Sequence, residues 1–173
     1  MPTIIGRPVR GEAADYYFTY IDQVGDGDIR QLLTTQAAEA VRLFRSIPDS
    51  RTLHRYEPGK WSIREVLGHL NDCERLFAFR AFWFARGFGS ALPSFDQITA
   101  AATAASDTRS WPGLIEEFEA VRASTVALFG NLTEEAWQRR GTASDNPFSV
   151  RSLAYIAVGH VMHHVEILRA RYL

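Results

Sequence analysis

Cysteine is almost missing from this 173-residue chain, which contains Cys73 alone. One thiol cannot form an internal disulfide framework, and this scarcity is typical of a reducing compartment. A basic excess is missing too, and the net charge of −1 argues against a nucleic-acid binder that neutralises phosphates. No apolar run approaches the roughly 18 residues that span a bilayer, and residues 1–7 lack the apolar core of a signal peptide. We therefore expect a cytoplasmic protein with neither nucleic-acid nor membrane partners.

What the chain does have is the composition of a globular domain. Hydrophobic residues make up 46% and charged residues 23%, which excludes a disordered chain. A chain of this length buries roughly 70% of its unfolded surface in one core. No alternating run rich in Val, Ile and Thr predicts a strand, and residues 141–147 have the composition of a polar loop. We predict one all-α domain over residues 1–173.

Apolar residues recur at helical spacing in four long segments. The segments run from Ile29 to Ser46, from Ser62 to Arg86, from Ser110 to Phe129, and onward from Ser149. Ahead of them, residues 12–23 carry enough apolar area to dock on a bundle. Residues 87–109, with a short helix over 97–105, form a connection longer than an antiparallel hairpin needs. The pattern predicts a four-helix bundle with a long crossover connection between helices 2 and 3, which would let those two helices run parallel.

Two histidines in the last helix, His160 and His164, are four residues apart and therefore lie on the same face. Together with Leu153 and Ile167 they belong to a stripe with alternating steps of four and three, the pattern of an inward-facing seam. His69 lies on the apolar side of the second helix. Three imidazoles with a vacant fourth position are typical of a catalytic zinc site. The pattern favours a metal site over the other interpretation, in which these are core histidines hydrogen-bonded to protein atoms.

Two further histidines and the cysteine also carry side chains that can bind a metal. His163 lies about 100° around the helix from His164 and cannot easily share the same ion, so we interpret it as a boundary or interface residue. His54 lies in a loop and is expected to be solvated. Cys73 is one turn beyond His69, where a thiolate would be a fourth ligand and would close the site. The favoured interpretation of Cys73 is a small buried thiol that fills space.

Four side chains could line a pocket near the site, namely Cys73, Arg80, Tyr56 and Trp61. Arg80, three turns along the His69 stripe, could neutralise an anionic substrate; pairing with an acidic residue of a neighbouring helix is the favoured interpretation. Tyr56 and Trp61 could line a pocket mouth, although aromatic residues beside a helix start more often serve packing. Glu166 points away from the histidine face, so it is not predicted to be a base. No residue is assigned a catalytic role.

Two motifs resemble the DinB-like superfamily. They are KWSIREVLGHLNDCER at residues 60–75 and GHVMHH at residues 159–164. The resemblance covers nearly the whole chain in length and helix order, and it implies a four-helix bundle with a long crossover, usually a homodimer. It also implies a divalent metal, zinc or nickel, held by three histidines with one coordination position open. Carried over to this chain, the ligands are His69, His160 and His164.

The resemblance implies an activity as well. Characterised relatives are thiol-dependent transferases and isomerases that use bacillithiol, mycothiol or glutathione-like cosubstrates. We therefore expect a metal-dependent transferase that acts on a small molecule with a low-molecular-weight thiol. Two alternatives stay open. One is a metal-dependent hydrolase, and the other is a non-catalytic, stress-related helical-bundle dimer whose histidines are structural.

Overall fold

The computed structural model describes residues 5–173, in which helices and one short hairpin are joined by irregular loops. In chain order the elements are α1 (Phe18–Ile21), α2 (Ile29–Ser46), α3 (Ile63–Ala85), α4 (Gln97–Thr103), α5 (Trp111–Gly130), α6 (Glu134–Gln138), β1 (Arg140–Ala143), β2 (Asn146–Ser149) and α7 (Val150–Ile167). Short 3-10 turns lie at Asp15–Tyr17, Asp49–Arg51 and Ser106–Thr108, and a π turn at Leu168–Tyr172 continues α7. Helices α2, α3, α5 and α7 are the four long helices of the predicted bundle, and the all-α class is confirmed.

The sequence prediction that residues 1–7 are not a signal peptide falls partly on residues 1–4, which lie outside the described residues. None of the helices formed by residues 5–173 is both long and apolar enough to cross a membrane.

Polar caps set the starts of the four long helices. The side chain of Asp28 accepts a hydrogen bond from the second backbone N–H of α2, and Ser110 does the same for the third residue of α5. Ser62 and Glu65 form a reciprocal capping box at the start of α3, and Ser149 opens α7 in a second one. Each cap satisfies N–H groups that have no partner inside the helix. The predicted helix starts are therefore confirmed.

The crossover between α3 and α5 brings these two helices together in parallel. The Asn71 side chain donates to the carbonyl of Leu114 at 3.1 Å, and Arg75 donates to Glu117 at 2.7 Å. Residue numbers increase together on the two helices, as they do only when the helices run in the same direction. The long crossover connection is confirmed, and α4 lies within it.

The prediction of a polar loop at residues 141–147 was wrong. Strands β1 and β2 pair in an antiparallel hairpin, with Thr142 opposite Pro147. Its turn residues, Ser144 and Asp145, have φ values of 51° and 57°, the left-handed region that a two-residue hairpin turn requires. The hairpin buries Phe148 completely in the core. Four-residue strands are too short for alternation to be visible in the sequence.

The core consists of two clusters of buried apolar side chains, and α3 and α7 contribute to both. On α3, Leu70 belongs to one cluster and Cys73 to the other; on α7, Val161 and Val158 are divided in the same way. A border between the clusters therefore crosses both helices at the same level.

One buried ion pair connects all four long helices. Arg122 of α5 donates from Nε to Glu74 of α3 at 2.7 Å, and both side chains are almost fully buried. The same guanidinium donates to the carbonyl of Leu33 and to the Gln36 side chain on α2, and it approaches the carbonyl of Ala157 on α7 at 3.5 Å. Because its partners lie on α2, α3 and α7, this arginine of α5 restrains the relative rotation of the four helices.

Breaking the buried pair on one side is expected to be costly. In Arg122→Met the Glu74 carboxylate stays buried without its counter-charge, and we expect the free energy of unfolding to fall by about 3–5 kcal/mol. Urea denaturation monitored by circular dichroism measures it. Arg45→Met is the matched control, because Arg45 pairs with Glu119 across α2 and α5 at the surface and should cost less than about 1 kcal/mol. An equal decrease in the free energy of unfolding in the two variants would show that the buried ion pair has no special structural role.

The N-terminal segment is fastened to the start of α7 by Glu12. Its carboxylate accepts from Ser149 Oγ at 2.7 Å and Arg151 Nε at 2.6 Å, while its backbone carbonyl accepts from the Ser149 N–H. Burial alone would raise the pKa of Glu12, but the hydrogen bonds from Arg151 and Ser149 outweigh it and lower the pKa to about 2. The prediction that residues 12–23 dock on the bundle is confirmed, because Phe18 and Ile21 are buried against it.

This carboxylate predicts an acid-sensitive contribution to stability. A depressed folded-state pKa stabilises the protein above the unfolded value of 4.5, and that stabilisation is lost as the pH falls towards 2. We expect Glu12→Gln to be about 3 kcal/mol less stable than wild type at pH 7. The difference should shrink to roughly 1 kcal/mol at pH 2.5. Urea titrations at both pH values measure it, with Glu119→Gln, which removes the surface partner of Arg45, as control. A pH-independent gap would refute the role of Glu12.

Candidate metal centre

Three histidine side chains from two helices meet at the border between the apolar clusters. His69 lies on α3, and His160 and His164 lie one turn apart on α7. One ligand nitrogen from each ring lies within 4.8 Å of the other two, and the Nε2 atoms of His69 and His160 are 3.1 Å apart. The structure therefore brings together the three residues that the sequence singled out.

A glycine precedes a histidine on each helix and lets a neighbouring segment approach. A Cβ atom on Gly159 would lie 2.1 Å from the carbonyl oxygen of Tyr20, so α1 can cross α7 here only over a glycine. A Cβ atom on Gly68 would lie 2.1 Å from the Ser106 hydroxyl in the crossover. The close approach at Gly159 places the Tyr20 ring edge-on to His160, at 5.3 Å between centroids.

The three rings are held in their neutral form. Burial lowers the pKa of His69 to about 4 and that of His164 to about 3, with the neighbouring histidines adding to the effect at His164. Burial, followed by the nearby histidines, lowers the pKa of His160 well below its ordinary value. Neutral imidazole is the form that binds a metal ion, so at neutral pH no proton has to be removed first.

The donor set fits a transition-metal ion. Two nitrogen atoms bound about 2.0 Å from one tetrahedral ion lie about 3.3 Å apart, close to the 3.1 Å between the Nε2 atoms of His69 and His160. No carboxylate belongs to the group among residues 5–173. Three imidazoles without a carboxylate suit zinc or nickel better than magnesium or calcium, which prefer oxygen ligands.

The other histidines and the cysteine lie outside this group. His163 is half-buried and packs edge-on against Tyr20, and His54 is exposed. The Cys73 sulfur lies 3.6 Å from Nδ1 of His69 but is not among the mutually close ligand atoms. Burial raises the pKa of the Cys73 thiol to about 12, so it stays protonated at neutral pH. This arrangement agrees with the favoured interpretation of Cys73 as a buried thiol that fills space.

Two cavities reach the histidines, and they divide the four predicted pocket residues between them. The first, here called the Arg80 cavity, has a volume of about 70 Å³ and touches His160. It is lined by Tyr16, Tyr17, Tyr20, Cys73, Leu76, Phe77, Arg80, Phe95, Gln97, Ser144 and His160. The second, the Trp61 cavity, has a volume of about 250 Å³ and touches His164. It is lined by Tyr56, Gly59, Lys60, Trp61, Val66, Ile98, His164, Ile167 and Tyr172.

Aromatic rings surround the cluster on the side of each cavity. Trp61 lies against His69 with 4.7 Å between ring centroids, and its position is fixed because the Tyr172 hydroxyl donates to its backbone carbonyl. Phe77 packs edge-on to His160 at 5.6 Å. Sequence reasoning missed Phe77 and Tyr20 as neighbours of the site. Phe77 lies two turns beyond His69, a spacing that would have placed it on the same face.

Arg80 is nearly fully buried. The prediction that it pairs with an acidic residue of a neighbouring helix was wrong. No acidic residue forms an ion pair with it in the described part of the chain. Its Nη2 atom instead donates to the Ser144 hydroxyl at 2.9 Å and to the carbonyl of Pro93 at 3.2 Å. The hairpin that carries Ser144 was not predicted, so this partner could not be foreseen.

The profile of the DinB superfamily matches residues 32–168 of this chain. That range contains all three clustered histidines and all four long helices except the first three residues of α2. No curated protein matches the sequence.

Solved structures with the same fold include YfiT from Bacillus subtilis, which is described as a probable metal-dependent hydrolase with an unusual four-helix bundle topology. The likeness has a TM-score of 0.73 at 19% identity and covers 95% of this chain and 92% of YfiT. A mycothiol-dependent maleylpyruvate isomerase superposes with a TM-score of 0.68 at 12% identity, over 84% of this chain but 61% of the isomerase. The DinB-like protein YjoA from Bacillus subtilis gives 0.60 at 20% identity, over 83% and 87%.

The geometry predicts which histidine substitution removes a bound metal. Protein purified without added metal should contain close to one zinc or nickel ion per chain, and His160→Ala should contain less than about 0.2. His163→Ala is the matched control, because His163 neighbours the cluster without belonging to it. Elemental analysis by plasma mass spectrometry gives the ratio. A low ratio in the wild type that His160→Ala leaves unchanged would refute the metal site.

Proposed function

The chain belongs to the DinB superfamily, and on that basis we propose that it is a metal-dependent enzyme, more specifically a thiol-dependent transferase acting on a small molecule. The observation that carries the proposal is the group of three imidazoles, two buried and one half-buried, whose ligand nitrogens lie within 4.8 Å of one another. Imidazoles of this kind with a position left for a reactant are the usual arrangement of a catalytic metal site.

His69, His160 and His164 would hold the ion, with zinc or nickel as the proposed metal. Bound there, a divalent ion would supply the positive charge that lowers the pKa of a thiol towards neutrality. The three ligands are neutral, so none of that charge is cancelled by the protein. The rings of Trp61 and Phe77 cover the buried His69 and His160 rings, and a low-dielectric environment of this kind strengthens electrostatic interactions.

The two cavities support transfer between two organic reactants. The Arg80 cavity touches His160 and the Trp61 cavity touches His164, so two molecules could approach the same cluster without competing for one space. A thiol cosubstrate in one cavity and an electrophile in the other would be held near each other, and such positioning accounts for much of enzymatic rate enhancement. The mycothiol dependence of the structurally similar isomerase agrees with a thiol cosubstrate here.

A metal-dependent hydrolase is the second candidate, favoured by the description of YfiT. It would need one organic substrate and water, and one of the two cavities would then be left without a reactant. The same three histidines would serve in either reaction, so the choice depends on whether turnover requires a thiol.

The arrangement of the rings argues against purely structural histidines. Within residues 5–173, the hydrogen-bond contacts of His69 and His160 connect them to each other and to Cys73, with no carbonyl or carboxylate as partner. Structural histidines in a core are normally anchored by such groups. The homodimer and the cytoplasmic location stay predictions from the sequence.

Thiol dependence separates the two enzyme hypotheses. Metal-loaded protein should consume bacillithiol, mycothiol or glutathione in the presence of a chromogenic aryl halide, and His160→Ala should lower that rate at least about 100-fold. The His163→Ala control should retain it. In cobalt-substituted protein the productive thiol should also produce a sulfur-to-metal charge-transfer band in the near ultraviolet. Hydrolysis of activated esters that proceeds equally well without thiol would favour the hydrolase instead.

A further inference from the structure

We propose that the Arg80 cavity is a carboxylate-binding subsite, so that the electrophilic substrate of this enzyme carries a carboxylate group. The proposal rests on the proposed function for its site and adds the chemical class of the substrate. It starts from a guanidinium that is 1% exposed and forms no ion pair in the part of the chain that the structure describes.

The described contacts of Arg80 are all uncharged, and one of its donors has no hydrogen-bond partner. Its Nη2 atom donates to the Ser144 hydroxyl and to the carbonyl of Pro93. The Tyr17 hydroxyl interacts with the same guanidinium, which lies 5.7 Å from the centre of the Phe148 ring. The Nε atom is buried and has no hydrogen-bond partner. A buried cation is normally paired, and a buried N–H is normally bonded, because leaving either one unmatched is costly.

Arg122 shows what this fold does with a buried arginine that serves structure alone. There Nε donates to Glu74 at 2.7 Å, and the second carboxylate oxygen accepts from Nη2 at 3.0 Å. Arg80 differs in having no carboxylate partner among the described residues, and it lines the cavity that also touches His160 of the candidate metal centre. The missing carboxylate can therefore arrive from outside the protein.

The size of the cavity limits what can enter it. Its volume of about 70 Å³ corresponds to roughly two water molecules at the liquid share of about 30 Å³ each. A planar carboxylate fits, and the remainder of a larger substrate would have to extend towards the histidines. Guanidinium groups match carboxylates in both charge and planar geometry.

The test observes Arg80 directly through the Nε–H resonance in nitrogen-15 NMR spectra of metal-free protein titrated with propionate. We expect the Arg80 signal to move and saturate, whereas propionamide and chloride at equal ionic strength leave it in place. The Arg122 signal should stay fixed throughout, because its Nε–H is already bonded to Glu74. Arg80→Lys identifies the signal by its disappearance, and Ser144→Ala identifies it by a shift if Arg80→Lys does not fold.

An Arg80 signal that ignores propionate, or that responds equally to chloride, overturns the proposal and assigns Arg80 a purely structural role. The measurement needs no metal, so its result is independent of the elemental analysis. Loss of metal binding with an intact propionate response would refute the proposed metalloenzyme alone. A normal metal content without the response would refute the carboxylate subsite alone.

Discussion

The buried pair of Arg122 and Glu74 is the interaction on which the arrangement of the bundle depends. One guanidinium bonds to α2 and α3 and approaches a carbonyl of α7 at 3.5 Å. That carbonyl belongs to Ala157, three residues before His160, and Glu74 lies five residues after His69. A rotation of either helix that displaced its histidine would therefore also strain a buried, charge-assisted hydrogen bond. Apolar packing alone tolerates small rotations, whereas paired buried charges penalise them.

The two glycines beside the histidines allow chain segments outside the four long helices to pack closely against the site. Gly159 admits the backbone of α1 and Gly68 admits Ser106, each at a distance that no Cβ would allow. The Glu12 network then fastens the N-terminal segment to the first turn of α7. Segments that are remote in sequence thus pack around the site, and the N-terminal one is held to the bundle by the Glu12 network.

The features that could be predicted from the sequence are those with a local signal. Caps such as Ser62 and Ser149 mark helix starts within four residues, and the spacing of His160 and His164 places them on one face without reference to the rest of the chain. His69 could be placed on the inner side of a second helix from the spacing of the apolar residues around it, which is also a local signal. The partners of Arg80 and Arg122 had no such signal, because each is 13 or more residues away along the chain and depends on the packed fold. The hairpin was missed because its strands are only four residues long.

The electrostatic potential of the site depends on the absence of a carboxylate from the described histidine cluster. The histidine cluster contains no carboxylate among the described residues, its three rings are kept neutral by burial, and the buried charge of Arg80 lies at the same cavity as His160. A divalent ion added to such surroundings would create a strongly positive, water-poor region. Anionic reactants are the ones that such a region attracts, and a thiol loses its proton there more readily than in water. A site built with one aspartate in place of a histidine would lose part of this positive potential and would attract an anionic reactant less strongly.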